Sequence, residues 1–264
     1  MTFSPPPPRK LNSTLSCNKA HGGFSLVELS IVLVIIGMLV SGVLVERDMI
    51  RAAELRSITS DKDRIQTAVN LFQDKYQGLP GDITNATDFW GAMTGGALCP
   101  NSTGGTGAET CNGNGNGTIG GWSAINWENL LFWQHLSNAG LIEGQYSGVS
   151  GTINQEMTSK IKSAFWRNEH VGSIGQGNGT WFEGDYGHSL NLYGIPNNNP
   201  ILPTELWNID KKIDDGLPGL GALVSREDNS PNCNNFNSAL PASTATYNLT
   251  YNSNSCRPYF KNMW

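Results

Sequence analysis

Glu28 is the side chain whose chemistry sits least easily with its surroundings. It lies inside "FSLVELSIVLVIIGMLVSGVLV", residues 24–45, where the only other polar side chains are serines. Twenty-two residues of helix at about 1.5 Å each reach about 33 Å, enough to cross a bilayer core. A carboxylate at the bilayer centre costs about 2.5–3.5 kcal/mol, and somewhat less towards the edge. No Lys or Arg stands within a helical turn of Glu28. The charge therefore needs a partner that no side chain near it supplies.

Other residues could do chemistry, and most have a plainer reading. Asp210, Asp214 and Asp215 cluster in "NIDKKIDDG". Asp210 and Asp214 are i and i+4 on a helix, so three oxygen donors could converge on Ca²⁺ beside the Gly-Leu-Pro-Gly turn. Lys211 and Lys212 weaken that case, and a solvated helix end with turn-forming Asp residues explains the same run. Asp185, His188 and Ser189 are close in sequence but read as a hairpin turn, and no catalytic residues are assigned. The run "NGNGNGT" (112–118) lacks the leading Asp of a calcium loop and has Ser123 where the twelfth-position Glu would stand, so it reads as a flexible loop. There is no GxxxxGK[ST] run, so any ATP-driven step belongs to a separate protein.

The five cysteines are Cys17, Cys99, Cys111, Cys233 and Cys256. The last four lie in Asn/Gly/Ser/Pro-rich stretches with no CxxC spacing and no His pairs, which argues against zinc. Two disulfides in an oxidising compartment fit better, with buried reduced cysteines as the alternative. Of three connectivities, Cys99–Cys111 with Cys233–Cys256 is favoured, because each pair brackets a turn-rich stretch. Each such bridge is worth about 3 kcal/mol.

The elements that must position these groups follow from pattern. Residues 1–23 hold four consecutive prolines, three basic residues and no periodicity, and read as a disordered lead-in. Past residue 45 the chain turns polar with no Pro or Gly before Gly78. Ile58, Ile65, Val69, Phe72 and Tyr76 form one helical stripe, with Asp61, Lys62, Asp63 and Arg64 placed on the solvated side. One helix over 24–77, membrane-spanning to about 45 and then amphipathic, would be about 80 Å long. Beyond it, "TNATDFWGAM", "SAINWENLLFWQHLSNAG", "SKIKSAFWRN" and "TELWNIDKKID" read as helices. "GTWFEGDYGHSLNLYG" reads as a hairpin, and "LGALVSRE" and "TATYNLTYN" as strands. The fold class is α+β: a long N-terminal helix whose amphipathic half packs on a small sheet-containing globular domain, residues 78–264. Most of the eight tryptophans are expected in its core, where each brings a large buried area. The formal charge is −5, and the three basic residues of the lead-in make the remainder more acidic still, so nucleic acid is not an expected partner.

The stretch "GGFSLVELS" resembles the processing site of type IV prepilins and of type II secretion pseudopilins. "DKYQGLPGD", "FWQHLSNAGLIEG" and "IDKKIDDGLPGLG" resemble a subgroup of the same proteins. The resemblance implies a pilin-like fold and a leader, 1–23, removed by a prepilin peptidase between Gly23 and Phe24. It implies N-methylation of Phe24, with Glu28 fifth in the mature chain. It also implies other pilin-like subunits as partners and an inner-membrane assembly platform with its own ATPase. The location implied is single-pass in the inner membrane with a periplasmic C-terminal domain, or a periplasmic or surface filament after assembly. The role is structural and not enzymatic, and the length points to a minor or specialised subunit. A monomeric membrane-anchored binding or adhesion module is the alternative. The cut supplies the missing cation: an α-amino group with an ordinary pKa of about 7.7–8.0, further favoured in its charged form beside a carboxylate. Within one helix the amine sits about four residues from Glu28, and between staggered helices the amine of one chain can meet Glu28 of the next.

Overall fold

A computed structural model describes residues 23–93, 108–120, 128–149, 155–175, 181–195, 199–226, 232–235 and 241–264. The chain divides into two units, Met1–Met49 and Ile50–Trp264. Helix α1 runs Leu26–Tyr76 without interruption. In the first unit its apolar side chains are exposed all round, from Phe24 through Val43. A helix apolar on every side has no aqueous face and suits lipid, and this one is long and apolar enough to cross a membrane.

In the second unit the helical stripe is the spine of the core. Ile58, Ile65, Val69 and Phe72 are fully buried, with Tyr76 packed at the edge. Asp61 departs from the sequence expectation: it is buried. It stands three residues after Ile58 and four before Ile65, and therefore on the same face. It accepts the Trp166 indole N–H at 3.4 Å and faces Arg64 at 3.5 Å. The helix ends because Gln77 takes a left-handed conformation, φ 57°. Gly78 is needed for another reason: a Cβ there would sit 2.6 Å from the Ile83 side chain.

Two short helices, α2 (Ala86–Trp90) and α3 (Glu128–Asn138), follow. The strands are β1 (Met157–Thr158), β2 (Ala164–His170), β3 (Ser173–Ile174), β4 (Gly184–Asp185), β5 (His188–Gly194), β6 (Leu223–Arg226) and β7 (Arg257–Phe260), with α4 (Pro203–Ile213) between β5 and β6. The main sheet is antiparallel, in the order β1-β2-β5-β7-β6. Its inner face presents Trp166, Leu190, Leu192 and Phe260 to α1, joined by Phe132, Trp133 and Leu136 of α3. Its outer face carries a tightly bonded polar network beside a second apolar cluster of Tyr186, Val224 and Tyr259. Arg257, itself buried, donates from Nε and Nη2 to Asn191 Oδ1 at 3.0 and 2.6 Å. Asn191 and the Tyr259 hydroxyl both donate to Glu169.

Three elements differ from the sequence reading. "SKIKSAFWRN" supplies no helix; its second half is β2, because Ala164, Trp166 and Asn168 alternate inward while all seven residues pair with β5. "GTWFEGDYGHSLNLYG" is not one hairpin: β4 pairs with β3, and β5 pairs with β2 and β7. "TATYNLTYN" contributes only a bridge, Asn234 to Tyr247, and the last strand is "RPYF". Pro258 obscured that strand. It is tolerated because β5 pairs with β7 only at Tyr259 and Phe260, so no β5 partner awaits an N–H at Pro258.

Beyond the apolar packing of Leu206 and Ile209, a charged pair fastens helix α4 to α1. Arg51 grips Glu205 with Nε–Oε1 at 2.7 Å and Nη2–Oε2 at 2.6 Å, and Glu205 Oε2 also accepts the Leu202 N–H at the start of α4. Glu205 raises the pKa of the guanidinium, against the effect of burial. A two-toothed, half-buried pair exceeds a surface ion pair in worth. A double-mutant cycle of Arg51→Ala and Glu205→Ala is expected to give a coupling of about 1–2 kcal/mol in urea unfolding; additivity would show the grip to be passive.

Candidate functional site

The N-terminal site is built from one helix end. Gly23, Phe24 and Ser25 precede the first helical residue, so the Gly23–Phe24 bond lies in irregular backbone. A Cβ at Gly23 would meet nothing within 4 Å. A protease needs an accessible bond outside regular structure, and this one is both exposed and non-helical. Phe24 is exposed, and Glu28, one helical turn on, is exposed beside it. Glu28 Oε2 accepts the Ser25 backbone N–H at 2.8 Å, satisfying one of the donors that a helix start leaves over. The sequence spacing thus places Phe24, Ser25 and Glu28 together. While the Gly23–Phe24 bond is intact, the Phe24 nitrogen is an uncharged amide; a cut there would turn it into a cation about one turn from the carboxylate.

The cysteine framework is visible in part. Cys233 and Cys256 form a disulfide across 23 residues. Cys111 is disulfide-bonded, while Cys99 and Cys17 lie outside the described residues.

Asp210, Asp214 and Asp215 do converge, each offering an oxygen within 4.8 Å of the others. Their oxygens already serve the chain. Asp210 accepts the Tyr247 hydroxyl at 2.7 Å and the Gly216 N–H at 3.2 Å. Asp214 accepts the Leu223 N–H at 2.9 Å, and Asp215 that of Leu217 at 2.8 Å. Burial, only partly relieved by those two bonds, pushes the Asp210 carboxyl up to about 7. Oxygen ligands suit Ca²⁺, but these are largely committed to closing the turn after α4. The expectation is therefore a latch. Adding millimolar Ca²⁺ should move the unfolding temperature by no more than about 1 °C, whereas an ion bound at one hundred times its Kd would add about 2.7 kcal/mol.

Asp185, His188 and Ser189 make no relay. Asp185 accepts the Gly187 N–H, Ser189 donates to the Tyr186 carbonyl, and His188 Nδ1 meets the Trp264 carbonyl at 3.2 Å. His188 and Ser189 are also neighbours in a strand and face opposite sides.

Sequence reasoning missed a buried polar hub under α3. The 112–118 run forms a defined loop wrapped around two buried carboxylates. Asp82 accepts the Asn116 and Gly117 N–H groups at 3.1 and 2.8 Å. Glu128 accepts those of Asn114 and Gly120 at 3.0 and 2.6 Å. Burial raises the Glu128 pKa, the two backbone donors lower it, and Asp82 adds to the rise. The glycines are needed for approach: a Cβ at Gly113 would come within 2.4 Å of Asp82 backbone atoms. His135 completes the hub. Its Nδ1 accepts the Gly81 N–H at 2.9 Å, so Nε2 carries the proton, facing Thr110 Oγ1 at 3.0 Å and the Cys111 carbonyl at 3.2 Å. Burial drives its pKa down to about 4. A clue was present in sequence: Glu, Gln and His sit in a helix whose apolar residues fill every other side.

Residues 18–44 match the prokaryotic N-terminal methylation motif, the prepilin-type signal of type IV pilins and pseudopilins. The matched segment contains Gly23, Phe24 and Glu28. No curated protein and no solved structure matches the chain.

Proposed function

We propose that the chain is a structural subunit of a type IV pilus-like or type II secretion pseudopilus filament, of the minor or specialised kind. A prepilin peptidase cuts after Gly23, Phe24 is N-methylated, and the subunit waits in the inner membrane with residues 50–264 on the periplasmic side. A platform protein and a separate ATPase then draw it into the filament. The role involves no catalysis and no nucleic acid. The single observation that carries this reading is the coincidence, at one helix end, of an open Gly-Phe bond and a carboxylate one turn later on a helix without an aqueous face. Each feature makes sense with the others: the cut yields a cation, the acid neutralises it on a neighbour, and both charges leave contact with lipid.

The disulfide between Cys233 and Cys256 supports an oxidising location for the globular unit. Co-expression with and without a prepilin peptidase tests the reading. Sheared filaments should contain the chain only when the peptidase is active. A membrane-anchored monomer carrying the same signal would be cleaved yet remain wholly in the membrane fraction.

A further inference from the structure

Between α1 and α4 runs a groove of about 370 Å³. Leu55 and Thr59 line it from α1, Ile209 and Ile213 from α4. Ile213 is 44% exposed. Two cations, Arg56 and Lys212, stand along the groove, both exposed, and among the described residues neither has an ion-pair partner. The Arg51–Glu205 pair ties the two helices together at one end of it. One stretch of the same chain has the complementary character. Met49 and Ile50 are 68% and 53% exposed, and Glu46 stands a helical turn before both, on their side of the helix.

The geometry points to a second copy of this chain as the occupant, inserting Met49 and Ile50 into the groove and bringing Glu46 to Arg56 and Lys212. The inference deepens the filament reading and rests on it. Knob and groove are different surfaces, so the contact is heterologous and propagates as an open array instead of closing as a dimer. It also sets a stagger. The α1 side of the groove, residues 52–59, lies about six residues beyond Met49 and Ile50, which is about 9 Å of helix. Pairing the Phe24 amine of one copy with Glu28 of the next asks for four residues, about 6 Å, in the same direction. A glutamate side chain spans the difference. Two contacts far apart in sequence thus ask for shifts of similar size, about 9 and about 6 Å, when the copy that inserts Met49 also supplies the amine.

Ile50→Cys in one chain and Ile213→Cys in a co-expressed second chain test the contact, since both positions are exposed and tolerate change. Oxidised filaments should yield the mixed dimer, and either variant alone should not. Glu46→Lys should lower filament yield about tenfold, and adding Arg56→Glu with Lys212→Glu should restore it to within about twofold. Normal filaments with no 50–213 crosslink and an indifferent Glu46→Lys would overturn the groove contact and leave the filament reading standing. Crosslinking of Ile213→Cys to a different protein would likewise overturn it. Absence of filaments from the unaltered chain with active peptidase and platform would remove both.

Discussion

Glu28→Leu is expected to leave membrane insertion and cleavage after Gly23 intact and to abolish polymerisation. Leucine removes an acid from a segment that is otherwise apolar, so insertion becomes easier. Nothing at the Gly23–Phe24 bond depends on the carboxylate, apart from the 2.8 Å bond to the Ser25 N–H. Assembly suffers because the new α-amino group then has no anion among the neighbouring helices. Leaving one charge unpaired in lipid costs up to about 3 kcal/mol, the figure for the bilayer centre, so the upper bound is on the order of a hundredfold per subunit added. The measurements are an immunoblot for the trimmed chain and electron microscopy of sheared filaments. Trimmed chain without filaments is the expected pair of results. Filaments at ordinary yield would show that Glu28 neutralises nothing that matters.

The second large effect concerns acid. His135 is wholly buried and neutral, its Nδ1 receiving the Gly81 N–H. A pKa of about 4 against an ordinary 6.5 means that the unfolded chain binds this proton first as pH falls. The neutral folded form is favoured above pH 6.5, and the associated stability is lost as pH drops from 6.5 through about 4. The full loss is about 3 kcal/mol. Protonation would also turn Nδ1 from acceptor to donor against the Gly81 N–H, parting α3 from the turn after α1. Urea unfolding at pH 7 and pH 4 should show the unaltered protein losing about 3 kcal/mol more than His135→Gln, which cannot titrate. Parallel losses would place the acid sensitivity elsewhere. The buried Glu128 and Asp82 beside it are common to both proteins and cancel in the comparison.

The N-terminal site was legible because its chemistry is written in consecutive residues at fixed offsets. Gly23, Phe24 and Glu28 need only one helix end to bring them together. The stripe from Ile58 to Phe72 was legible for the same reason, as were α4 and β6. Asp61 was misplaced because a charged type outweighed its position, three residues after Ile58 and four before Ile65. Strand β2 was hidden because "SAFWRN" carries helix formers, and its alternation acquires meaning only from the pairing with β5. The hub of Asp82, Glu128 and His135 was invisible for a different reason. Its partners come from the turn after α1, the loop at 110–120 and α3, and no local spacing records that three such segments meet. The 112–118 run looks loose by composition, yet the same glycines let its backbone close on two carboxylates.

The most direct test of the whole account is the intact mass and N-terminal sequence of the chain recovered from filaments. Filament subunits should begin at Phe24 and carry one added methyl group on the α-nitrogen. A filament chain still bearing residues 1–23, or one starting near residue 46 with the apolar helix gone, would contradict it.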